Sequence, residues 1–325
     1  MLDSDNNPNS NFTNNKYVIK METKKLIGLS PIEYEHPFDK AALNKLRALP
    51  GVDVVTNFLL NWTYVKWNVI GLQGSNFHIT RDSCPELFQL VKDVAATLDV
   101  EDFPEIYTEW GYSVNGYTTG NKDQTLMVLN SGAVDLLTDQ QLKFVVGHEM
   151  GHIKSGHVLY HMMAQMFTSM VGLIPLGETL LTPIHLALLY WNRMSEFTAD
   201  RAGLLACQNK DEAIQAIIKM AGVPMKYFEN MNQDSFIKQA EEFETKYSGL
   251  AESAIKAITI ASSSHPWTVF RAGELLKWIE SGEYDRILNG NSSILCEHTG
   301  QYFSPDVATC PWCGLPTSEH KNYKK

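Results

Sequence analysis

The sequence predicts an α+β fold, predominantly α, with a small antiparallel or mixed sheet and a short cysteine-bearing module at its C-terminus. Three observations carry that prediction. Apolar residues recur at helical spacing through most of the chain. Two segments rich in Tyr, Trp, Ile and Val interrupt that period. Three of the five cysteines crowd the C-terminal end. At 325 residues the chain is long enough to bury a large core, and 44% hydrophobic with 20% charged residues is the balance of a soluble globular protein. The expected divisions are a disordered tail over 1–20, a main domain over 21–290 and the small module over 291–325.

Taken in order, residues 1–20 are rich in Asn and Ser and lack the apolar stretch of a secretory signal. Asp39–Leu49 and Val52–Leu60 carry helical spacing, broken by Pro50-Gly51. Ser83-Cys84-Pro85-Glu86 opens a helix that runs to Leu98. Glu105–Ser113 and Thr125–Leu129 read as strands bounded by Gly116, Gly120 and Asn121, and Ser131–Leu137 as a short helix. Thr138 is an N-cap, with Gln141 three residues on completing a capping box. Residues 162–191 are apolar but interrupted by Pro175, Glu178 and Pro183. Neither half reaches the roughly 20 strongly apolar residues of a membrane span. A buried helical hairpin is expected there, with peripheral membrane contact as the alternative. Trp191–Gln208, Asp211–Ala221, Asp234–Tyr247 and Ala251–Ala261 read as helices. Ser262 to Pro266 starts a last one, reaching about Ser281.

The formal charge of −10 excludes a nucleic-acid partner, because phosphate binding needs a basic surface. An odd cysteine count with metal-like spacing argues against a disulfide framework and for a reducing, cytoplasmic setting. Membrane association through 162–191 is the variant of that placement.

The chemistry concentrates in Gly147–His157, GHEMGHIKSGH. His148 and His152 are four residues apart, which on a helix leaves about 40° of rotation and one turn of rise. Both imidazoles can therefore face one ion. Glu149 is about 100° round from His148, placed to reach a water on that ion without ligating it. An HExxH match of only three fixed positions needs a third ligand to be persuasive. A further His at 158 would place it among the metzincins, but that residue is Val158, and Ser155 stands where they have glycine. Ser195-Glu196-Phe197-Thr198-Ala199-Asp200 supplies a glutamate instead. Glu196 and Asp200 share one helix face, so Glu196 can ligate while Asp200 accepts a hydrogen bond from a ligand histidine.

With these residues in hand, the chain resembles the HtpX-like and CaaX-prenyl-protease-like zinc metallopeptidases, metallopeptidase family forty-eight. The pattern HExxH…ExxAD matches His148-Glu149-Met150-Gly151-His152 and Glu196-Phe197-Thr198-Ala199-Asp200. A His-Pro-x-x-x-x-Arg element matches His265-Pro266 through Arg271. His36-Pro37-Phe38-Asp39 and Leu49-Pro50-Gly51 are similar to the family's N-terminal helical part, and the resemblance covers about residues 30–285.

The resemblance implies a gluzincin endopeptidase domain acting on an extended or unfolded polypeptide. His148, His152 and Glu196 would ligate a catalytic Zn2+, with Glu149 as general base and then general acid. Asp200 would orient a ligand histidine, His265 would donate to the oxyanion, and Arg271 would support that geometry. Thr125–Leu129 would be the edge strand that pairs with substrate. His157 and His161 are expected to stand behind the ligands or at the surface. Family members carry clear transmembrane helices, and this chain has no obvious pair before the motif, so a soluble branch is expected. The rival function is a non-catalytic scaffold that recruits partners through its C-terminal module; an intact Glu149 argues against it.

Cys310-Pro311-Trp312-Cys313-Gly314 has the form of a zinc knuckle, in which the chain doubles back so that both thiolates face one metal. Cys296 and either His298 or His320 complete four ligands. The expected zinc-ribbon-like set is Cys296, His298, Cys310 and Cys313, holding a second, structural Zn2+.

Overall fold

The computed structural model describes residues 23–49, 51–52, 64–120, 124–170, 177–246, 267–290, 294–298, 301–303, 308–310 and 313–320. The expected tail over 1–20, the helix Ala251–Ala261, nearly all of Val52–Leu60, and the helix start at His265-Pro266 lie outside the described residues.

Three helices open the described chain: α1 (Pro31–Tyr34), α2 (Pro37–Arg47) and α3 (Tyr64–Ser75). Strand β1 (Phe77–Ile79) and helix α4 (Pro85–Thr97) lead to β2 (Glu105–Glu109), β3 (Gly116–Gly120) and β4 (Thr125–Asn130). Helices α5 (Ser131–Leu136), α6 (Asp139–Lys154), α7 (Val158–Met170), α8 (Gly177–Cys207) and α9 (Lys210–Met220) follow. Then come α10 (Gln233–Lys246), α11 (Thr268–Glu280), α12 (Glu283–Leu288) and a hairpin of β5 (Ile294–Cys296) and β6 (Gln301–Phe303). The domain is helix-dominated with one small sheet, the α+β class read from the sequence.

The sheet is mixed, in the order β1-β2-β4-β3. β1 and β3 run antiparallel to their neighbours, and β2 pairs parallel with β4. β4 is buried on both faces. Leu126 and Val128 meet Val69, Tyr107 and Met162, while Met127 and Leu129 join the main core with Val91, Val145 and Ile217. This explains a run of four apolar residues with no polar alternation. It also overturns the expectation that Thr125–Leu129 is an edge strand, because both its sides are taken by β2 and β3. The edge next to the helices is β3. Tyr117, Thr118 and Thr119 suit a strand, but Gly116 and Gly120 at its ends read as a boundary until the pairing with β4 is seen.

Thr138 caps α6 as expected: its hydroxyl accepts from the Gln141 backbone N–H, and the Gln141 side-chain oxygen accepts from the Thr138 N–H, both at 3.2 Å. The larger surprise is α8. The expected break at Pro183 is absent, and one 31-residue helix runs through it to Cys207. A proline costs a helix one donated bond and crowds one carbonyl. Downstream of it, Ile184, Leu188, Trp191, Met194 and Phe197 bury against α2 and α7, and this packing outweighs the local cost. Among the described residues, no helix is long and apolar enough to cross a membrane.

α6 and α8 pack along a seam of small residues. A Cβ on Gly147 would stand 2.3 Å from the Ala206 Cβ, and one on Gly151 would stand 2.5 Å from the Ala202 Cβ. From the other helix, a Cβ on Gly203 would meet the Phe144 carbonyl oxygen at 2.7 Å. The two helices approach closer than any side chain at these positions would allow. That approach sets the distance between the two halves of the HExxH…ExxAD pattern.

Candidate metal centre

The close seam brings His148 and His152 of α6 against Glu196 of α8, all three buried. The two histidine Nε2 atoms are 3.1 Å apart. Glu196 Oε2 lies 3.5 Å from His148 Nε2, and its Oε1 lies 3.4 Å from His152 Nε2. Ligand atoms 2.0–2.1 Å from a tetrahedral ion stand about 3.3–3.4 Å from one another. Three donors from two imidazoles and a carboxylate thus form one face of such a tetrahedron, and the group fits a zinc ion.

Behind His148 stands a carboxylate, and behind His152 stands another imidazole that leads to one. His148 Nδ1 is 3.0 Å from Asp200 Oδ1, so with Nε2 directed at the shared centre the Nδ1–H donates to Asp200. Arg271 of α11 grips the same carboxylate with two bonds, Nη2 to Oδ1 at 2.5 Å and Nε to Oδ2 at 2.8 Å. Burial works against a charge on Asp200, but Arg271 and His148 overcome it and hold its carboxyl below the usual range. His152 has no carboxylate in direct reach of its Nδ1, which meets His157 Nδ1 at 3.0 Å. His157 Nε2 in turn lies 3.2 Å from Asp39 Oδ2. The only consistent proton pattern runs outward: His152 Nδ1–H to His157 Nδ1, then His157 Nε2–H to Asp39. Asp39 is itself held by Trp191 Nε1 at 2.8 Å and the Thr198 hydroxyl at 2.6 Å.

His152, His157 and His161 also gather their nitrogens within 4.8 Å. They do not make a separate centre, because His152 Nε2 faces Glu196 and its Nδ1 carries the proton given to His157. His161 donates from Nε2 to Ser195 Oγ at 2.9 Å, since that hydroxyl already gives its own proton to the Asn192 carbonyl.

Burial disfavours charge on both imidazoles. At His148 the carboxylates of Asp200 and Glu196 outweigh it and raise the pKa. At His152 burial and the neighbouring His148 charge prevail over Glu196, and the pKa falls.

Glu149 is buried one residue round α6. It lies under the start of β3: a Cβ on Gly116 would stand 3.4 Å from the Glu149 Cγ. A cleft of about 850 Å³ reaches Asn115, the residue before Gly116, and Arg271, without being lined by Glu149 or the three metal-site residues. Tyr112, Ser113, Val114 and Asn115, which lead into β3, line it together with Met220, Trp267, Thr268 and Arg271. His265 lies outside the described residues, two positions before Trp267.

In the tail, Cys296, Cys310, Cys313 and His320 each offer a ligand atom, all within 4.8 Å of one another. This corrects the expected set. His298 is exposed in the turn that follows β5, while His320 is buried with its Nε2 3.7 Å from Cys313 Sγ. The turn begins straight after Cys296, so the two-residue spacing that would keep His298 on the Cys296 side of a strand does not apply.

Sequence reasoning missed Asp39, the role of His157 in bridging to it, and His36. The His36 N–H donates to Thr198 Oγ1, its Nδ1 caps α2 by accepting from Phe38 N, and its Nε2 meets Glu274 of α11 at 3.0 Å. The signal available was His36-Pro37-Phe38-Asp39 itself, an N-cap histidine followed by an acid in a first turn that is otherwise apolar.

Residues 83–279 match the family model described as peptidase family M48. Over 258 residues the chain is 28% identical to the plastoglobule-localized metallopeptidase 48, chloroplastic, of Arabidopsis thaliana, covering 79% of this chain and 75% of that one. It is 25% identical over 118 residues to a protease HtpX homolog of Streptococcus agalactiae, covering 36% of this chain and 40% of that relative. With the corresponding protein of Streptococcus uberis it shares 28% over 108 residues, 33% of this chain and 36% of the other. No solved structure matches.

Proposed function

The chain belongs to peptidase family M48 and is a metalloprotease, and on that premise we propose that it cleaves extended or unfolded polypeptides internally with a zinc-activated water. The observation that carries this reading is the triangle of His148, His152 and Glu196, spaced as one face of a tetrahedron with Glu149 beside it. In this reading those three residues hold zinc and leave the fourth position open, as catalytic sites do. Zinc, when bound, supplies a Lewis acid and an acidified water. Glu149 takes a proton from the attacking water and returns it to the leaving nitrogen, so that a C–O bond forms, the C–N bond breaks and a neutral amine departs. Asp200 with Arg271 keeps His148 in its tautomer, and His157 with Asp39 does the same for His152. His265 is the proposed donor to the oxygen that gains charge. The peptide lies in the cleft between Tyr112–Asn115 and Trp267–Thr268, entering along β3.

The test compares Glu149→Gln with the wild type on casein. Zinc content is expected to stay the same while the rate falls by about 10²-fold or more. Equal cleavage by the two proteins would end the mechanism. That none of the five cysteines is in a disulfide is consistent with the proposed reducing, cytoplasmic setting. Peripheral membrane contact through 162–191 is supported, among the described residues, by the exposed Leu186 and Tyr190. Unchanged vesicle sedimentation in the double variant Leu186→Glu, Tyr190→Glu would remove it.

A further inference from the structure

Among the described residues, the C-terminal segment buries little apolar surface. Its buried cluster consists of Ile294, Cys296 and Cys310, with Cys313 packed against them, and its sheet is two strands of three residues each. A unit of this size ordinarily needs a metal or disulfides. None of Cys296, Cys310 and Cys313 is in a disulfide.

The backbone is nonetheless folded tightly around those cysteines. The Gly314 N–H donates to the Cys310 carbonyl at 2.9 Å, and the Cys310 N–H donates to the Leu315 carbonyl at 2.8 Å. This double closure requires Gly314 in the left-handed region, at φ +75°. Thr309 then pairs with Pro316, and a single 3₁₀ turn over Thr317–Glu319 returns the chain so that His320 arrives at the thiols. Cys296 comes from β5, on the other side of the group.

We propose that Cys296, Cys310, Cys313 and His320 bind a second zinc ion in a closed, structural site, with His320 and not His298 as the fourth ligand. For Zn–S of about 2.3 Å and Zn–N of about 2.0–2.1 Å, the S···N edge of a tetrahedron is about 3.6 Å. Cys313 Sγ and His320 Nε2 are 3.7 Å apart. Three thiolates and one imidazole are soft and borderline donors that suit zinc. Four protein ligands, of which Cys296, Cys310 and His320 are buried, leave no open position, so the site holds structure and does no hydrolysis. β6 lies against α1, so what the metal orders is a small module seated on the N-terminal helices.

The inference does not depend on the reading of the catalytic centre, which contains no thiolate. The experiment uses the full chain. Zinc per chain is measured in wild type, His320→Ala, His298→Ala and Cys310→Ser. The His298 variant is expected to keep the wild-type content, and the other two to lose one zinc ion each while casein cleavage persists. Zinc retained in His320→Ala, or lost in His298→Ala alone, would overturn the assignment. Should the tail variants fail to fold, cobalt in place of zinc in the wild-type chain decides the matter. A thiolate-to-cobalt charge-transfer band in the near ultraviolet is expected, and only the tail site can give rise to it. Its absence would dismiss the site.

Discussion

At the residue scale, the two presumed-equivalent histidines of the HExxH helix are held differently. His148 leans directly on Asp200, whereas His152 reaches its carboxylate only through His157. Partners behind a metal ligand typically account for about 10–100-fold in metal affinity. His157→Ala is therefore expected to weaken zinc binding by about that factor in a chelator competition, and Asp39→Asn by a smaller part of it. If His157→Ala binds zinc as tightly as wild type, the bridge has no part in holding the metal. His148 and His152 were legible in sequence because their spacing is helical and local, and Glu196 and Asp200 because they stand one turn apart in a second helical motif. The bridge was not, since Asp39 in α2 and His157, just before α7, meet only through tertiary packing. Neither residue announces the other. The choice between His298 and His320 was likewise a three-dimensional one.

At the scale of elements, the seam between α6 and α8 is what turns two motifs into one site. Gly151→Ala would place a methyl 2.5 Å from the Ala202 Cβ, and the helices must part to admit it. Overpacking of this kind costs about 1–3 kcal/mol. Urea unfolding should show that loss, accompanied by weaker zinc binding as Glu196 moves away from the histidines. Gly74→Ala in α3 is the control: nothing lies within 4 Å of its Cβ, and the helix should gain up to about 1 kcal/mol. Stability unchanged in Gly151→Ala would mean that the seam is looser than its distances imply. A second link between elements is the hydrogen bond between His36 Nε2, at the start of α2, and Glu274 of α11; burial lowers the His36 pKa, so near neutrality the ring is an uncharged donor. Burial raises the Glu274 pKa, but His36 and Lys277 reverse this and bring it down to about 2. A depressed carboxylate stabilises the fold above its unfolded pKa of about 4.3, and that contribution fades as pH falls from there toward 2. The stability difference between wild type and Glu274→Gln should accordingly be constant near neutrality and shrink below about pH 4. A difference that is flat across that interval would remove the pair from the acid response. Elements themselves were readable where caps and period agree, as at Thr138. Reading failed where tertiary packing overrides local preference, as in α8 across Pro183, and where flanking glycines mask a short run of strand formers, as in β3.

At the scale of the whole molecule, the matched family region, 83–279, is smaller than the unit that holds the site together. The N-terminal segment that precedes it is built into the same core. The Leu26 N–H donates to the Thr97 carbonyl, and the Gly28 N–H to Asp99 Oδ2. Tyr34 is wholly buried with its hydroxyl 3.2 Å from Ser155 Oγ, at the end of the HExxH helix. Arg201, one residue past Asp200, donates from Nη1 to the Tyr34 and Glu35 carbonyls. Leu46 is also fully buried, and Leu26 and Leu29 nearly so. At about 1.5–3 kcal/mol for each large apolar side chain, losing these four removes an amount comparable with the entire stability of a typical domain, about 5–15 kcal/mol. Cutting the chain to residues 83–279 would also strip Asp39 from His157 and His36 from Glu274. That fragment is expected to be largely unfolded and to hold no zinc at concentrations that saturate the full chain, even though every residue of the HExxH…ExxAD pattern is present. Circular dichroism and zinc titration of the fragment check this. A folded, zinc-binding fragment would show that the N-terminal helices are an accessory to the site and not part of its foundation.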